Sequence, residues 1–418
     1  MKVIIIGAGI SGLSTYLYLR KLVPSITDIT IYESHRPRTT SSLESQNYED
    51  LSASTAIVGG GLGVSPNGMY VLKDLDPEIY TAVIEQGFLC DHFTFKGANG
   101  WTLSKVPTND KRQKEGAGLE KCVSSSRHGV WLCLKRKVPD EEIVYRRVSE
   151  VGISEDGKPA VKFQDGSPAV IADFVIGADG VKSTVLKAIM GDQYSEIYAP
   201  HYEGLAGVGG FLNVDIPSEI LQDKSMIFTF GGTGFFGYAA HGSPSNKSLM
   251  WWSTFQADIM PEHGTINLAD YRKQLVERHG YWKDPVVRKV VELAEFDTVY
   301  PTWTTPELPT WSENRVLLIG DAAHALQPTS GQGVSQGLED SQTLALLLAH
   351  YLSDASLNEE DVLKCTAKAM YDIRHPRVTS IAKQARKIDG KKMNQGVFIE
   401  YMVYFILWFV PKWPTLGT

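Results

Sequence analysis

The residues best placed to do chemistry stand at the start of the chain. Gly7-Ala8-Gly9-Ile10-Ser11-Gly12 follows the apolar run Val3-Ile4-Ile5-Ile6 and precedes Leu13 and Leu17, one helical turn apart. Each of the three glycines has a separate use, since Gly7 permits a tight turn, Gly9 lets backbone approach a pyrophosphate, and Gly12 lets a helix pack close to a sheet. The helix start offers unpaired N–H groups and a positive dipole end to the phosphates, so Ile10 and Ser11 join the glycines as candidate contacts. Glu33 lies about twenty residues on, at the end of a second alternating run through Ile29 and Ile31, where a carboxylate can accept from a ribose diol. It would repel a 2′-phosphate, so the site suits FAD or NAD and not NADP.

Gly232-Thr233-Gly234-Phe235-Phe236-Gly237 repeats the spacing but is followed by strand-like sequence, and reads as a glycine-rich sheet turn. Two further segments decide between FAD and NAD. Arg315-Val316-Leu317-Leu318-Ile319-Gly320-Asp321-Ala322-Ala323-His324 runs on through Pro328 to Gly331-Gln332-Gly333 and a helical pattern with Glu339-Asp340. Between the two fingerprints lies Phe174-Val175-Ile176-Gly177-Ala178-Asp179-Gly180. In this order the three segments resemble those of the p-hydroxybenzoate hydroxylase-like flavoprotein monooxygenases, the group A, salicylate hydroxylase-like aromatic hydroxylases.

The resemblance implies that FAD is the bound cofactor, that Gly320 and Asp321 serve the ribityl chain, and that N–H groups near Gly331 and Gly333 face the flavin pyrimidine edge. It places Asp179 in the motif that touches both FAD and the pyridine nucleotide. Arg127 is similar to a family arginine near the flavin, without the acidic residue that usually follows it. His324 is expected to fix its loop and not to act as acid or base. The chain also departs from the family after Asp179, reading Ser183-Thr184-Val185-Leu186-Lys187 where an arginine is common, which leaves the contacts of NADPH or NADH open.

The implied architecture is α/β: a Rossmann-type, glutathione reductase-like FAD-binding domain interleaved with a mostly antiparallel β-sheet substrate domain, and a helical C-terminus. Residues 1–72, 100–190 and 300–352 are assigned to the first, 73–99 and 191–299 to the second, and 353–418 to the C-terminal region. Strand patterns such as Met226–Phe230 and Leu249–Phe255 support the sheet. The Ser-, Thr- and Gly-rich stretch 39–68 reads as a loop over the site, and 105–121 as exposed.

The implied reaction is monooxygenation. NAD(P)H reduces FAD, O2 adds to give a flavin hydroperoxide, and one oxygen atom passes to the substrate. Phe228, Phe236, Tyr238 and Trp251 are candidate pocket residues, although their alternation equally fits a packed sheet core. Of arginine and histidine the stretch Tyr202 to Phe255 holds only His241, with His201 just outside, so the expected substrate is a largely apolar aromatic or polycyclic small molecule, with hydroxylation ahead of epoxidation. A flavin oxidase or reductase on the same scaffold, or a binding protein like the Rab GDP-dissociation inhibitors, stays open.

Composition narrows the field further. The chain has 418 residues, net charge −7 and four cysteines without CxxC spacing. The acidic balance offers no basic surface for nucleic acid, a reducing, cytoplasmic setting fits, and no His/Cys pattern suggests a metal. Val397–Val410 is strongly apolar, yet shorter than the ~20 residues of a spanning helix. A packed C-terminal helix is the first expectation, and peripheral membrane contact the second.

Overall fold

The computed structural model describes residues 1–36, 60–108, 120–242, 247–260, 267–296, 299–389 and 396–409. Most of the loop expected over the site, up to Gly59, and most of 105–121 lie outside these residues.

The chain begins β1 (Lys2–Ile6), α1 (Ile10–Leu22), β2 (Asp28–Glu33), then β3 (Gly61–Val64), α2 (Pro66–Leu75), α3 (Pro77–Gln86) and β4 (Phe88–Cys90). A hairpin of β5 (His92–Gly97) and β6 (Thr102–Pro107) precedes β7 (Cys122–Ser126), α4 (Arg127–Lys135) and β8 (Ile143–Tyr145). The short sheet β9 (Val148–Ile153), β10 (Pro159–Phe163), β11 (Val170–Ile171) leads to β12 (Phe174–Gly177) and α5 (Thr184–Met190). Next come β13 (His201–Asn213), α6 (Ser218–Asp223), β14 (Ser225–Gly231), β15 (Gly234–His241), β16 (Ser248–Gln256), α7 (Leu268–His279), α8 (Pro285–Leu293) and β17 (Tyr300–Thr304). The last part holds β18 (Ser312–Glu313), β19 (Val316–Leu318), α9 (Asp321–His324), α10 (Gly333–Leu352), α11 (Glu359–Asp389) and α12 (Val397–Phe409).

Two large sheets organise these elements. The first runs β18-β19-β12-β1-β2-β8 and is parallel except for the edge strand β18. Both of its faces are covered, which explains the unbroken apolar runs: Val3, Ile4 and Ile5 have no exposed surface. The second runs β17-β13-β16-β15-β14-β5-β6 and is antiparallel except where β5 pairs with β14. The α/β class, the two sheets and the helical C-terminus stand as expected.

The expected boundaries shift at three places. Strands β6 and β17 belong to the seven-stranded sheet, although the sequence assigns 100–190 and 300–352 to the nucleotide side. β6 is an edge strand with half its residues in water, so it reads as polar coil, and β17 closes the other edge against β13, far away in sequence. In the opposite direction, Leu75 at the end of α2 and Ile79 and Val83 of α3, expected in the sheet domain, belong to the nucleotide-side core. Their apolar spacing is helical, and they pack beside α10 and α4 instead of entering the sheet.

The seven-stranded sheet has two unlike faces. Behind it α7 and α8 bury Leu275, Trp282, Val287 and Val290. Its front turns toward β3, where Met250 abuts Gly61 and the Met226 methyl approaches Gly63.

Candidate functional site

At the end of β1 the glycine turn is built as its spacing demands. Gly7 has φ +106°, and a Cβ there would sit 2.4 Å from the Ala178 carbonyl oxygen. A Cβ on Gly12 would fall 1.9 Å from the Gly7 oxygen, so only glycine lets α1 start this close to the turn. Gly9 is different, with open space around it. It is also the N-cap of α1, and no side chain caps the helix. The first-turn N–H groups are therefore left for a ligand. Glu33 flanks them: one carboxylate oxygen accepts from the Ala8 N–H at 2.8 Å, the other from the His35 N–H and the Ser34 hydroxyl, both at 3.0 Å.

A second helix start arrives beside the first. α10 begins at Gly333 with no side-chain cap, and space is open at Gly331 and Gly333. The two starts are clasped through small residues. Cβ atoms on Gly320 or Gly337 would each lie 2.4 Å from the Ser11 hydroxyl oxygen, and the Ser341 hydroxyl lies 2.8 Å from those of Ser14 and Thr15. Asp321, the first residue of α9, is exposed at this junction.

The second fingerprint is held from below by Asp340, which is fully buried. One of its oxygens accepts from the Gly320 N–H at 2.8 Å and from His324 Nε2 at 2.6 Å; the other accepts from Arg374 Nε at 2.7 Å. Burial acts to raise this carboxyl, but the nearby charges of His324 and Arg374, with their hydrogen bonds, prevail and hold it at about 2. His324 is thus a loop-fixing residue, as its place in the motif suggests. Glu339 beside it takes both Arg374 and Arg377, and Asn67 as well.

Other candidates are placed less directly. Asp179 spends its carboxylate on its own loop, accepting from the Ser183 hydroxyl (2.6 Å) and the N–H groups of Thr184 (2.7 Å) and Val185 (3.3 Å), and so starts α5. Enclosure by protein raises its pKa. Its contribution to the site is the shape of the turn that meets Gly7. Arg127 is exposed at the first position of α4, and its N–H donates to the Gly60 carbonyl at 3.1 Å.

Of the four aromatic pocket candidates, three are corrected. Phe236, Tyr238 and Trp251 are at most 1% exposed and lie on the helix-covered face of the sheet. Phe236 stacks on Trp251 and meets His279 edge-on, and the Tyr238 hydroxyl donates to Asp284 at 2.7 Å. They are core because strand residues two apart share a face, and that face is the one α7 and α8 cover. Phe228 lies on the front, with Trp252 edge-on at 5.9 Å; the Trp252 ring occupies the space above Gly237.

Three residues with structural influence on the site are not apparent from the sequence. Trp131 donates its indole N–H to the Ala8 carbonyl at 2.8 Å and steadies the glycine turn. Arg374 reaches Asp340 across 34 residues of chain, and only the pair Arg374/Arg377, one turn apart, hints at a partner. Trp252 stands beside Trp251, and either could face the pocket until the register is known.

A parallel nucleotide-binding sheet interleaved with a mostly antiparallel one, and two uncapped helix starts meeting over open glycines, define the class: an α/β dinucleotide-binding fold of the flavoprotein kind. The chain belongs to the FAD-binding domain family, whose model matches residues 146–363, just over half of its length. It is 26% identical over 395 residues to 3-amino-4-hydroxybenzoate 2-monooxygenase of Streptomyces cremeus, covering 93% of this chain and 86% of that protein. It is 25% identical over 357 residues to the chloroplastic zeaxanthin epoxidase of Solanum lycopersicum, covering 83% of this chain and 48% of that one. The chain spans about half the length of other curated relatives too. The structure of Klebsiella pneumoniae HpxO complexed with FAD and uric acid matches with a TM-score of 0.74 at 19% identity, over 97% of this chain and 92% of that one, and shows the shared fold.

Proposed function

We propose that the protein is an FAD-dependent monooxygenase, reduced by NADPH or NADH, that inserts one atom of O2 into a largely apolar aromatic or polycyclic small molecule. The observation that carries the cofactor reading is the pair of uncapped helix starts closing on Gly9, Gly331 and Gly333, where a side chain would meet nothing. Bound FAD would accept the electrons of the nicotinamide and pass oxygen to the substrate. The rest falls to this chain. Ile10 and Ser11 would present N–H groups to the pyrophosphate, Glu33 would hold the adenosine ribose, and Gly320 and Asp321 the ribityl chain. Arg127 would approach from α4. The start of α10 would place its positive end at the pyrimidine edge, favouring the negative charge gained on reduction.

The substrate would lie between that edge and the front of the seven-stranded sheet, against Phe228 and Trp252. This face is apolar and favours an uncharged substrate held by shape. The similarity to both a monooxygenase of an aminohydroxybenzoate and an epoxidase keeps epoxidation as the second reading. We also propose peripheral lipid contact through residues 397–410. Among the described residues no helix is long and apolar enough to cross a membrane.

The test is an anaerobic visible spectrum of the purified protein before and after NADPH or NADH. A flavin spectrum that bleaches, faster with some substrates present, is the expected result, and Asp321→Ala should lose both flavin and the stability that flavin adds. A flavin that neither nucleotide ever bleaches would overturn the reductant, and a colourless protein the cofactor.

A further inference from the structure

α12 is docked by a narrow polar seam and turns its apolar side away from the protein. Val403 and Tyr404 are buried, at 7% and 3% exposed. The Tyr404 hydroxyl accepts from the Ala98 N–H at 2.8 Å and lies 2.8 Å from the Phe230 carbonyl, with Glu400 also in reach of its proton. On the other side, Phe398, Tyr401, Met402 and Phe405 follow one another at helical spacing and are 82, 46, 47 and 57% exposed. Trp101, 61% exposed, meets Tyr401 edge-on at 6.2 Å and extends the stripe onto the β5–β6 turn. A patch of this kind on a soluble chain marks a surface made to be covered.

The charges around it indicate by what. The whole chain carries −7, yet Lys383-Gln384-Ala385-Arg386-Lys387-Ile388-Asp389-Gly390-Lys391-Lys392, leading into α12, has five cations and one acid, and Lys412 follows the helix. Lys383, Arg386 and Lys387 are exposed on the last turns of α11. Beside the dock itself, exposed Lys283 donates its N–H to the Ala98 carbonyl at 2.8 Å. A short apolar helix between cationic flanks suits a plane that is apolar below and anionic at its rim.

We infer that α12 is an interfacial helix selective for anionic bilayers: its stripe enters the headgroup boundary while the flanking lysines and arginine pair with lipid phosphates and carboxylates. This rests on the lipid contact proposed above and adds the class of lipid and the residues that choose it. It also places the β5–β6 turn and the Phe230 end of β14 at the bilayer.

The experiment is flotation of the full chain with phosphatidylcholine vesicles, with and without phosphatidylserine, at low and high salt. Expected is co-flotation with the serine-containing vesicles that salt weakens. Changing Lys383, Lys387, Lys391 and Lys392 to Gln should cut it by at least about tenfold. A triple change of Phe398, Met402 and Phe405 to Ser should abolish it with flavin content unchanged, because these side chains are exposed on α12. Equal flotation with both vesicle types would overturn the anionic selectivity and leave the lipid contact standing. No flotation with either would overturn both. A doubling of mass in solution that the triple Ser variant removes, without flotation, would assign the stripe to a second copy of the chain and overturn the inference.

Discussion

The same glycine spacing occurs twice in this chain and makes two different things. At Gly7–Gly12 a buried parallel strand enters a helix, the outer two glycines are forced by backbone contacts, and the middle one faces empty space. At Gly232–Gly237 the motif spans the hairpin between β14 and β15; Gly234 has φ +144°, and Gly237 is covered by the Trp252 ring. One motif leaves room for a ligand, and the other fills its room with an indole. Spacing alone does not distinguish them. The element entered after the third glycine does, because only a helix start supplies unpaired donors and a positive end.

The strongest way to break this contrast is to remove the support under the nucleotide side. Arg374→Met leaves Asp340 buried with one cation fewer, and should cost about 3–5 kcal/mol in urea unfolding together with the flavin. A loss confined to α11, with flavin retained, would show that the two fingerprints do not depend on that ion pair.

The two glycine motifs can then be set against each other. Gly12→Ala and Gly237→Ala both create overlaps that should cost roughly 1–3 kcal/mol or more, but only the first should release flavin, as read by the ratio of visible to ultraviolet absorbance. If both variants release it, the hairpin motif is part of the cofactor site.

Titration separates the regions as well. The Asp340 carboxyl is lowered to about 2, so its stabilisation is complete above the ordinary value of 3.8 and disappears as pH falls through about 2. It amounts to about 2 kcal/mol, and the difference between wild type and Asp340→Asn should change with pH only in that interval. Behind the other sheet, burial, with Arg278 adding to it, lowers His279 to about 3. Neutral in the fold, it makes the unfolded chain bind more protons below the ordinary value of 6.5, so its effect is a loss of stability as pH falls from there. Comparing wild type with His279→Gln should place that slope at higher pH than the slope from Asp340.

A smaller effect tests the faces of the sheet. Tyr238→Phe removes the hydrogen bond to Asp284 and should cost about 1 kcal/mol with KM unchanged, whereas Trp252→Phe should move KM. The reverse result would return Tyr238 to the pocket. Smallest in stability is Gly9→Ala, expected to leave the flavin-free protein within about 0.5 kcal/mol of wild type while weakening flavin binding.

The contrast also explains how much can be read from residues alone. The nucleotide side is legible because its rules are local: an apolar run, forced glycines, a helix start, and an acid one strand later. The role of His324 comes from the resemblance to the family fingerprint, while its partner Asp340 lies 16 residues further on. Its supports are not legible, since Trp131 and Arg374 act across long stretches of chain. In the seven-stranded sheet the existence of strands is plain but their faces are not. Trp251 and Trp252 differ by one position, which puts one on the helix-covered face against Phe236 and the other over Gly237, and only the pairing register assigns them. β6 and β17 fall on the wrong side of the expected boundaries for a related reason: an edge strand is recognised by its partner more than by its own pattern.

The clasp between α1 and α10 has a consequence for how the molecule comes into being. Ser341 donates to the carbonyl of Ser11, 330 residues earlier in the chain. During synthesis the first glycine turn must wait, its donors exposed, while the 330 residues up to the helix that completes its pocket are made. Flavin capture therefore waits for residue 341, and a chain interrupted anywhere before it would carry the more recognisable half of the motif with nothing to close it.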